Sequence, residues 1–327
     1  MKKSTKKLMT GITGAAMLAS GMAQTAVAET PAAVVQEAAT DYVKVANVEG
    51  TFSFNQNIKT PADDVFNIFG TAVTGICAKP DFALTSLDKE YYVNVGGKIA
   101  YSYSRDLKSM ASERRTMLCA CATGPATAQA SVTGVSLENV LDLSALAEDA
   151  NVLQVTSSDG YKQKFSLSYL LEKKAMLAYQ IDETAIPTGA QLWIPETVAK
   201  YFVRDVVDLE VLAEAETPTL DARNDELRAE IALVNTVEDK FAVGKTLTFQ
   251  GYADDLQDPI AAVEFSLDGG ATWTAYETAN ASPDLWVFWS FNYTPQTAGT
   301  YELSVRARTQ SGTVSPLAAN VIFEVEA

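Results

Sequence analysis

The sequence predicts an α+β domain followed by an all-β domain. Residues 65–212 alternate between short strand-like and helix-like patterns. Residues 239–327 contain strand-like segments separated by turn signals at roughly regular intervals, a texture that suits a β-sandwich. The charged stretch 213–238 between them predicts a linker. The chain has 327 residues, more than one hydrophobic core usually serves, so two domains are expected.

The start of the chain has the pattern of an export signal. Four lysines precede an apolar stretch from Leu8 to about Met22, and Ala26-Val27-Ala28 fits a small-x-small cleavage site. We therefore expect residues 1–28 to be a signal peptide and residues 29–64 to be a lead-in segment. The mature protein is then exported, to a periplasm, a cell surface or the medium.

The composition excludes several classes of function. The net charge is −16, and loss of the four leader lysines takes it to −20. Because nucleic-acid binding needs basic patches, we expect no nucleic-acid partner. No stretch beyond the leader approaches 18 apolar residues, so no membrane span is expected. The chain contains no histidine, which excludes Ser-His-Asp and Cys-His catalysis and histidine zinc sites.

Local patterns predict individual elements of the first domain. Tyr91–Val95 and Lys98–Tyr103 are rich in β-branched and aromatic residues and predict a hairpin that turns at Gly96-Gly97. The segment from Arg105 to about Glu113 could form a short helix. The apolar segment Thr116–Cys121 predicts a strand.

The second domain contains one sharp local motif, Ser266-Leu267-Asp268-Gly269-Gly270-Ala271-Thr272-Trp273. This string resembles an Asp-box, in which the aspartate binds backbone amides of a turn and the glycines supply positive φ. A sugar-binding repeat is one interpretation. A hairpin-stabilising motif is the other, and a single copy favours it, because a propeller needs several copies.

Landmarks along residues 240–327 occur in the order of a known family. They are Gly251-Tyr252-Ala253, the Asp-box, Trp286-x-x-Trp289, Gly299-x-Tyr301 and Arg306-Ala307-Arg308. In this order they resemble the molybdenum-cofactor oxidoreductase dimerisation domain, which has an immunoglobulin-like fold. The resemblance implies a packing module and a possible homodimer.

A second resemblance covers residues 91–211 and is to the sulfite-oxidase-like molybdopterin-binding domain. It rests on Val95-Gly96-Gly97-Lys98-Ile99, the strand ending at Cys119, Gly134-Val135-Ser136-Leu137, Ser158-Asp159-Gly160-Tyr161, Ile194-Pro195 and Val203-Arg204. The two resemblances together imply an α+β, sulfite-oxidase-type molybdopterin-binding domain followed by an all-β immunoglobulin-like sandwich. They also imply a molybdenum–molybdopterin cofactor and an oxidoreductase that acts on a small-molecule substrate. The chain has no haem or iron–sulfur motif, so electrons would pass to a separate redox partner protein.

The same resemblance implies roles for particular residues. Cys119 matches the cysteine whose thiolate binds molybdenum, and Cys121 is the second candidate, because on a strand it would share a face with Cys119. Tyr161 matches an active-site tyrosine, although it could also be a turn-packing residue. Arg204 matches a basic residue that binds the pterin phosphate. Further candidate cations are Lys200, Arg115, Arg105 and Arg114.

The three cysteines also allow a disulfide in an oxidising compartment. A bridge between Cys119 and Cys121 would be strained, because residues two apart on a strand are separated by roughly 6.5–7 Å. We therefore expect Cys77 to pair with one of them. The remaining thiol could be the metal ligand or an inert cysteine.

Departures from the family pattern leave a second function open. No histidine is available for the pterin pocket, Thr133 stands in the place of a tryptophan, Gln191 stands near that of an arginine, and Glu196 replaces a glycine. The leader has the twin lysines Lys6-Lys7 where cofactor-loaded exported enzymes generally have twin arginines. These departures favour the alternative, a cofactor-free exported binding or structural protein that retains the fold.

Overall fold

The structure, a computed structural model, describes residues 41–70, 91–223, 228–235, 240–256 and 258–327. In chain order the elements are β1 (Thr51–Asn55), α1 (Ala62–Gly70), β2 (Tyr92–Gly97), β3 (Tyr103–Asp106), β4 (Glu113–Cys119), β5 (Ala128–Ser136), α2 (Leu137–Val140), β6 (Val152–Ser157), β7 (Lys162–Ser166), α3 (Leu167–Glu172), β8 (Met176–Ile181), β9 (Thr184–Ala185), β10 (Gln191–Trp193), β11 (Val206–Leu212), β12 (Glu230–Leu233), β13 (Phe241–Ala242), β14 (Leu247–Asp254), β15 (Ile260–Ser266), β16 (Thr274–Glu277), β17 (Val287–Tyr293), β18 (Gly299–Thr309) and β19 (Ala319–Glu326). Within these ranges no helix is long and apolar enough to cross a membrane.

Two sheets form the first, mixed domain, which comprises α1 to β11. One sheet has the order β3-β2-β11-β6-β7, in which β11 runs parallel to β2 and antiparallel to β6. The other has the order β10-β8-β5-β4, with β9 paired to β8. Two parallel neighbouring strands must be joined by a long crossover connection. The connection from β2 to β11 contains every strand of the second sheet. The predicted α+β class is confirmed.

Strand β5 is buried along nearly its whole length because it lies between β4 and β8. Its buried positions are small or β-branched, including Ala128, Ala130 and Val132. Gly134 has no room for a side chain, since an added Cβ would lie 2.2 Å from the carbonyl oxygen of Leu177 on β8. The close approach of β5 and β8 therefore restricts the geometry of this sheet, in which β4 is the edge strand next to β5.

The second domain is a sandwich of two sheets, with the orders β1-β17-β14-β12 and β13-β19-β18-β15-β16. Along β17 and β19 the burial pattern alternates, as expected for strands with one face toward a core. Aromatic rings join the sheets. Phe265 stacks on Phe291 with 4.1 Å between ring centroids, and Phe249 lies 5.5 Å from Phe323.

The predicted Asp-box forms a tight turn between β15 and β16. The Asp268 carboxylate accepts hydrogen bonds from the backbone nitrogen of Thr272 at 2.9 Å and from the Ser266 hydroxyl at 2.8 Å. Gly269 and Gly270 have φ of 74° and 82°, which explains the two glycines. The hairpin-stabilising interpretation of this motif is confirmed.

Segments outside the predicted sandwich contribute two of its strands. β1 lies in the predicted lead-in and pairs with β17, while β12 lies in the predicted linker and pairs with β14. Beyond β1 the chain enters the mixed domain, where the backbone nitrogen of Thr60 donates to the carbonyl oxygen of Gln129 at 2.8 Å. The N-terminal segment therefore contacts both domains before α1 begins.

The local predictions near the hairpin hold in part. β2 pairs with β3, but β3 begins only at Tyr103, so the connection is longer than a two-residue turn. The predicted helix from Arg105 to about Glu113 is wrong, because β3 continues to Asp106 and a single 3-10 turn, Leu107–Ser109, precedes β4.

Candidate functional site

Cys119 is the last residue of β4 and is fully buried. β4 is buried from Met117 onward, because its last three residues lie in the core of the mixed domain. Thr127 closes the loop that follows. Its hydroxyl oxygen lies 2.9 Å from the carbonyl oxygen and 3.2 Å from Sγ of Cys119. The single hydroxyl proton is therefore placed to be donated to either of these two acceptors.

The residues between Cys119 and Thr127 form a loop, called here the cysteine loop (residues 120–126). Cys121 is buried, and its Sγ lies 3.4 Å from the backbone nitrogen of Thr123. It lies beyond the end of β4, so the same-face argument, which holds on a strand, does not apply to it. Cys119 and Cys121 are not bridged to each other. Cys77 lies outside the described residues, and its predicted pairing stays a prediction.

A segment that crosses the domain contacts the residue after Cys119 at one end and contains Arg204 at the other. This crossing segment (residues 198–205) begins beside β4, where the backbone nitrogen of Ala199 donates to the carbonyl oxygen of Ala120 at 2.8 Å. It ends beside β10, where the nitrogen of Leu192 donates to the oxygen of Val203 at 2.7 Å. Arg204 follows directly and is only 5% exposed. One end of this short segment is thus bonded to the residue after Cys119, and its other end contains Arg204.

Tyr161 lies in the turn between β6 and β7, next to the end of the crossing segment. Its backbone nitrogen donates to Oδ1 of Asp159 at 2.9 Å, and its hydroxyl donates to Oε1 of Gln163 at 3.0 Å. On the same turn the Ser158 hydroxyl donates to the carboxylate of Asp205. Tyr161 is therefore on the turn that contacts the residue after Arg204, and these two hydrogen bonds lie within the turn and β7.

Two of the four further candidate cations, Lys200 and Arg115, are paired with carboxylates. Lys200 pairs with Asp221 at 2.6 Å, and this interaction raises the pKa of the lysine and lowers that of the carboxyl. Arg115 pairs with Glu113 and donates to the carbonyl oxygen of Lys174 at 2.6 Å. It stands four residues before Cys119, about 13 Å away along the strand. It lines a cavity of about 270 Å³ at the other end of β4.

A buried ion pair that the sequence did not predict lies against the cysteine loop. The Arg223 guanidinium is 2.6 Å from the Asp254 carboxylate, with both side chains at most 2% exposed. Nε of Arg223 donates to the carbonyl oxygen of Cys121 at 3.1 Å. Oδ1 of Asp254 accepts from the backbone nitrogen of Ala126 at 2.8 Å. Arg223 lies in the charged stretch predicted as a linker, and no local signal marks either residue as buried.

Titratable groups around this pair have shifted pKa values. Burial raises the pKa of Glu230 to about 7, an effect that nearby Arg223 opposes. Burial also raises the pKa of the Tyr252 hydroxyl to about 12, with Asp254 adding to the rise. For Asp254 itself, burial raises the pKa and Arg223 opposes the rise. Burial at the junction of the two domains is the main cause of all three shifts.

Comparison with known proteins tests the resemblance of the mixed domain. Residues 83–219 match the family model described as the oxidoreductase molybdopterin binding domain. The predicted resemblance is confirmed. This molybdopterin-type domain, as it is called below, contains every candidate site residue proposed from the sequence. None of the curated proteins matches the chain.

One solved structure supports the same fold. The sulfane dehydrogenase SoxCD from Paracoccus pantotrophus aligns with a TM-score of 0.60 and 17% identity, over 88% of this chain and 86% of that one. A PKD domain of an M14-like peptidase from Thermoplasmatales archaeon SCGC AB-540-F20 aligns over 31% of this chain, with 13% identity and a TM-score of 0.23, and covers 94% of its own chain. The first alignment extends through both domains and confirms the predicted architecture.

Two residues of the molybdopterin-type domain fit the cofactor that this family binds. Cys119 offers one buried sulfur, the soft type of ligand that a thiophilic metal requires. Arg204 offers a buried guanidinium, which can bind a phosphate by charge-assisted hydrogen bonds. The described residues contain no group of three or more histidine, cysteine, aspartate or glutamate side chains that is arranged to hold a metal ion. A single cysteine ligand is what the resemblance implies.

Proposed function

We propose that the protein is an exported molybdopterin-dependent oxidoreductase of the sulfite-oxidase type that acts on a small substrate. The observation that carries the proposal is Cys119, a fully buried cysteine at the end of a strand in a domain that matches the family. Cys119 would hold the metal through Sγ, and Arg204 would bind the pterin phosphate. When bound, the cofactor supplies two-electron redox chemistry.

The chain's own residues prepare this site. Burial of Cys119 keeps water away from the sulfur. A hydroxyl hydrogen bond from Thr127 to Sγ, at 3.2 Å, would stabilise the ionised sulfur that a metal requires. The crossing segment restricts the position of Arg204, because its two ends are hydrogen-bonded to the residue after Cys119 and to β10.

The partners follow from what the sequence contains. No C-x-x-C-H haem motif or iron–sulfur spacing is present in the chain, which supports transfer of electrons to a separate redox protein. The leader pattern of residues 1–28 supports export. The resemblance of residues 240–327 to a dimerisation domain supports a homodimer.

Metal analysis of two matched cysteine variants tests the proposal. Wild-type protein is purified from a host that makes the cofactor, and its molybdenum content and released pterin are measured. We expect stoichiometric molybdenum in the wild type, its loss in Cys119→Ser and its retention in Cys121→Ser. Unchanged molybdenum in Cys119→Ser would refute the ligand assignment, and loss confined to Cys121→Ser would move it to the second cysteine.

A specific observation favours a second function, that of a cofactor-free binding or structural protein. Two of the candidate cations are already neutralised, Lys200 by Asp221 and Arg115 by Glu113. With these two cations neutralised, a phosphate-bearing cofactor would lose part of the expected cationic contacts. Wild-type protein that carries neither molybdenum nor pterin from a cofactor-competent host would support this second function.

A further inference from the structure

A single ion pair holds both ends of the cysteine loop. At the start of the loop, Arg223 donates to the carbonyl oxygen of Cys121, and at its end Asp254 accepts from the backbone nitrogen of Ala126. The two side chains also contact each other at 2.6 Å. Loop residues without secondary structure normally bond to water, but here two backbone groups of the loop bond to buried charges.

The two charged residues come from outside the molybdopterin-type strands. Arg223 follows β11 in the stretch predicted as a linker, and Asp254 is the last residue of β14 in the sandwich. Tyr252 and Trp286, also from the sandwich, pack on the core of the molybdopterin-type domain, with 4.7 Å between their ring centroids. The shape of the cysteine loop therefore depends on a docked sandwich.

The energetics argue for a positioning role. Burying an ion pair costs desolvation energy that the attraction often only balances, so an apolar pair of similar size would pack at least as well. What an apolar pair cannot do is bond to the oxygen of Cys121 and the nitrogen of Ala126. The arrangement restricts the loop backbone more than it stabilises the fold.

We propose that Arg223 and Asp254 are positioning residues through which the sandwich fixes the cysteine loop and, with it, the thiols of Cys119 and Cys121. Dimerisation, the role implied by the resemblance, is then not the sandwich's only contribution. The consequence for metal retention rests on the proposed function, whereas the effect on the loop does not.

Two double variants separate the hydrogen bonds from the charge. Arg223→Met with Asp254→Leu removes both bonds to the loop and leaves no unpaired buried charge. Arg223→Gln with Asp254→Asn removes the charge but keeps a nitrogen donor at the position of Nε and an oxygen acceptor at that of Oδ1. Glu264→Gln is the matched control, because this buried carboxylate pairs with Arg306 and Arg308 inside the sandwich.

The readouts are taken on cofactor-free, full-length protein. Hydrogen exchange is followed in peptides that cover residues 120–127, and alkylation of Cys119 and Cys121 is followed by mass spectrometry. The double variant Arg223→Met with Asp254→Leu is called the Met/Leu pair, and Arg223→Gln with Asp254→Asn the Gln/Asn pair. We expect the Met/Leu pair to speed both hydrogen exchange and alkylation by about tenfold or more, the factor expected when local hydrogen bonds are lost. The Gln/Asn pair should exchange and react at wild-type rates, and so should Glu264→Gln. Urea midpoints show whether each variant is folded.

Each outcome decides the proposal. Wild-type exchange in a folded Met/Leu pair overturns it, as does equal acceleration in the Gln/Asn pair, which would mean that only the charge matters. If the Met/Leu pair does not fold, the comparison of the Gln/Asn pair with the wild type decides in the same way, because retained protection supports the proposal. Molybdenum content is measured separately. A metal-free wild type with a loosened loop in the Met/Leu pair contradicts the proposed function and leaves the positioning role supported.

Discussion

The side-chain oxygen of Gln129 accepts a hydrogen bond from the backbone nitrogen of Trp286 at 2.9 Å. The nitrogen of the same amide donates to the carbonyl oxygens of Gln56 and Ile58, at 2.7 and 3.0 Å. Gln129 is fully buried on β5. One side chain therefore joins the N-terminal segment, the molybdopterin-type domain and the sandwich. Water cannot replace these bonds, because the site is closed to solvent.

Gln129→Leu should lower the free energy of unfolding by about 2–4 kcal/mol, because a leucine of similar size cannot bond to the backbone nitrogen of Trp286 or to the carbonyl oxygen of Gln56. The carbonyl oxygen of Ile58 would keep its bond from the indole nitrogen of Trp286 at 2.8 Å. Urea unfolding followed by circular dichroism measures the change. Gln154→Leu is the control, since Gln154 bonds at 2.8 Å to Glu210 in an exposed position, and its substitution should cost less than about 0.5 kcal/mol. Equal stability of the two variants would contradict the structural role given to Gln129.

Gly134→Ala should destabilise the protein by about 1–3 kcal/mol, because the new Cβ would meet a backbone oxygen that cannot move without separating β5 from β8. Thermal unfolding measures the loss. Gly124→Ala is the matched control, since an added Cβ there meets nothing within 4 Å and φ is not positive. If both substitutions are tolerated equally, the close approach of the two strands is not a constraint.

Local features of the fold could be predicted from the sequence where the signal lies in adjacent residues. The Asp-box turn is set by two glycines and an aspartate within a few positions. The strand that ends at Cys119 closes with three apolar residues, Met117, Leu118 and Cys119. By contrast, the Arg105–Glu113 segment has no caps of a long helix, and pairing of β3 with β2 overrides its weak helical pattern.

Long-range features could not be predicted in this way. β1 pairs with β17, so that Thr51 is opposite Asn292, and no local pattern in a lead-in segment identifies such a distant partner. The same holds for Arg223 and Asp254. Charged residues in a linker and at the end of a strand are usually exposed, but both of these are buried. A single sequence shows residue types, whereas burial of a charge is decided by the packing of the two domains.

The stability of the protein should fall as the pH rises from about 5 to 7, because of Glu230. Its pKa is about 7 in the folded chain against an ordinary value of 4.5. Between these values the folded state keeps a proton that the unfolded state has lost, so raising the pH favours unfolding. Because Glu230 is partly exposed, we expect about 1–2 kcal/mol, less than the full shift would give. Urea unfolding at several pH values measures it.

Glu230→Gln provides the control for this pH dependence. A neutral amide has no proton to lose, so the variant should show a flatter profile and should be more stable than the wild type at pH 8 relative to pH 5. Asp255, beside Glu230, accepts from the backbone nitrogen of Ala229 at 2.7 Å and should keep that bond in the variant. Identical pH profiles for wild type and variant would assign the effect to another group.

Asp268 should stabilise the sandwich with the opposite dependence on pH. Hydrogen bonds from Thr272 lower its pKa to about 2, from an ordinary value of 3.8. Its contribution is therefore complete above pH 4 and disappears as the pH falls through 2. Asp268→Asn should lower the melting temperature at pH 6, and the difference from wild type should vanish near pH 2. Glu277→Gln, which removes an exposed carboxylate paired with Arg308, should have little effect at either pH. A constant difference for Asp268→Asn at both pH values would mean that shape, and not the ionised carboxylate, maintains the turn.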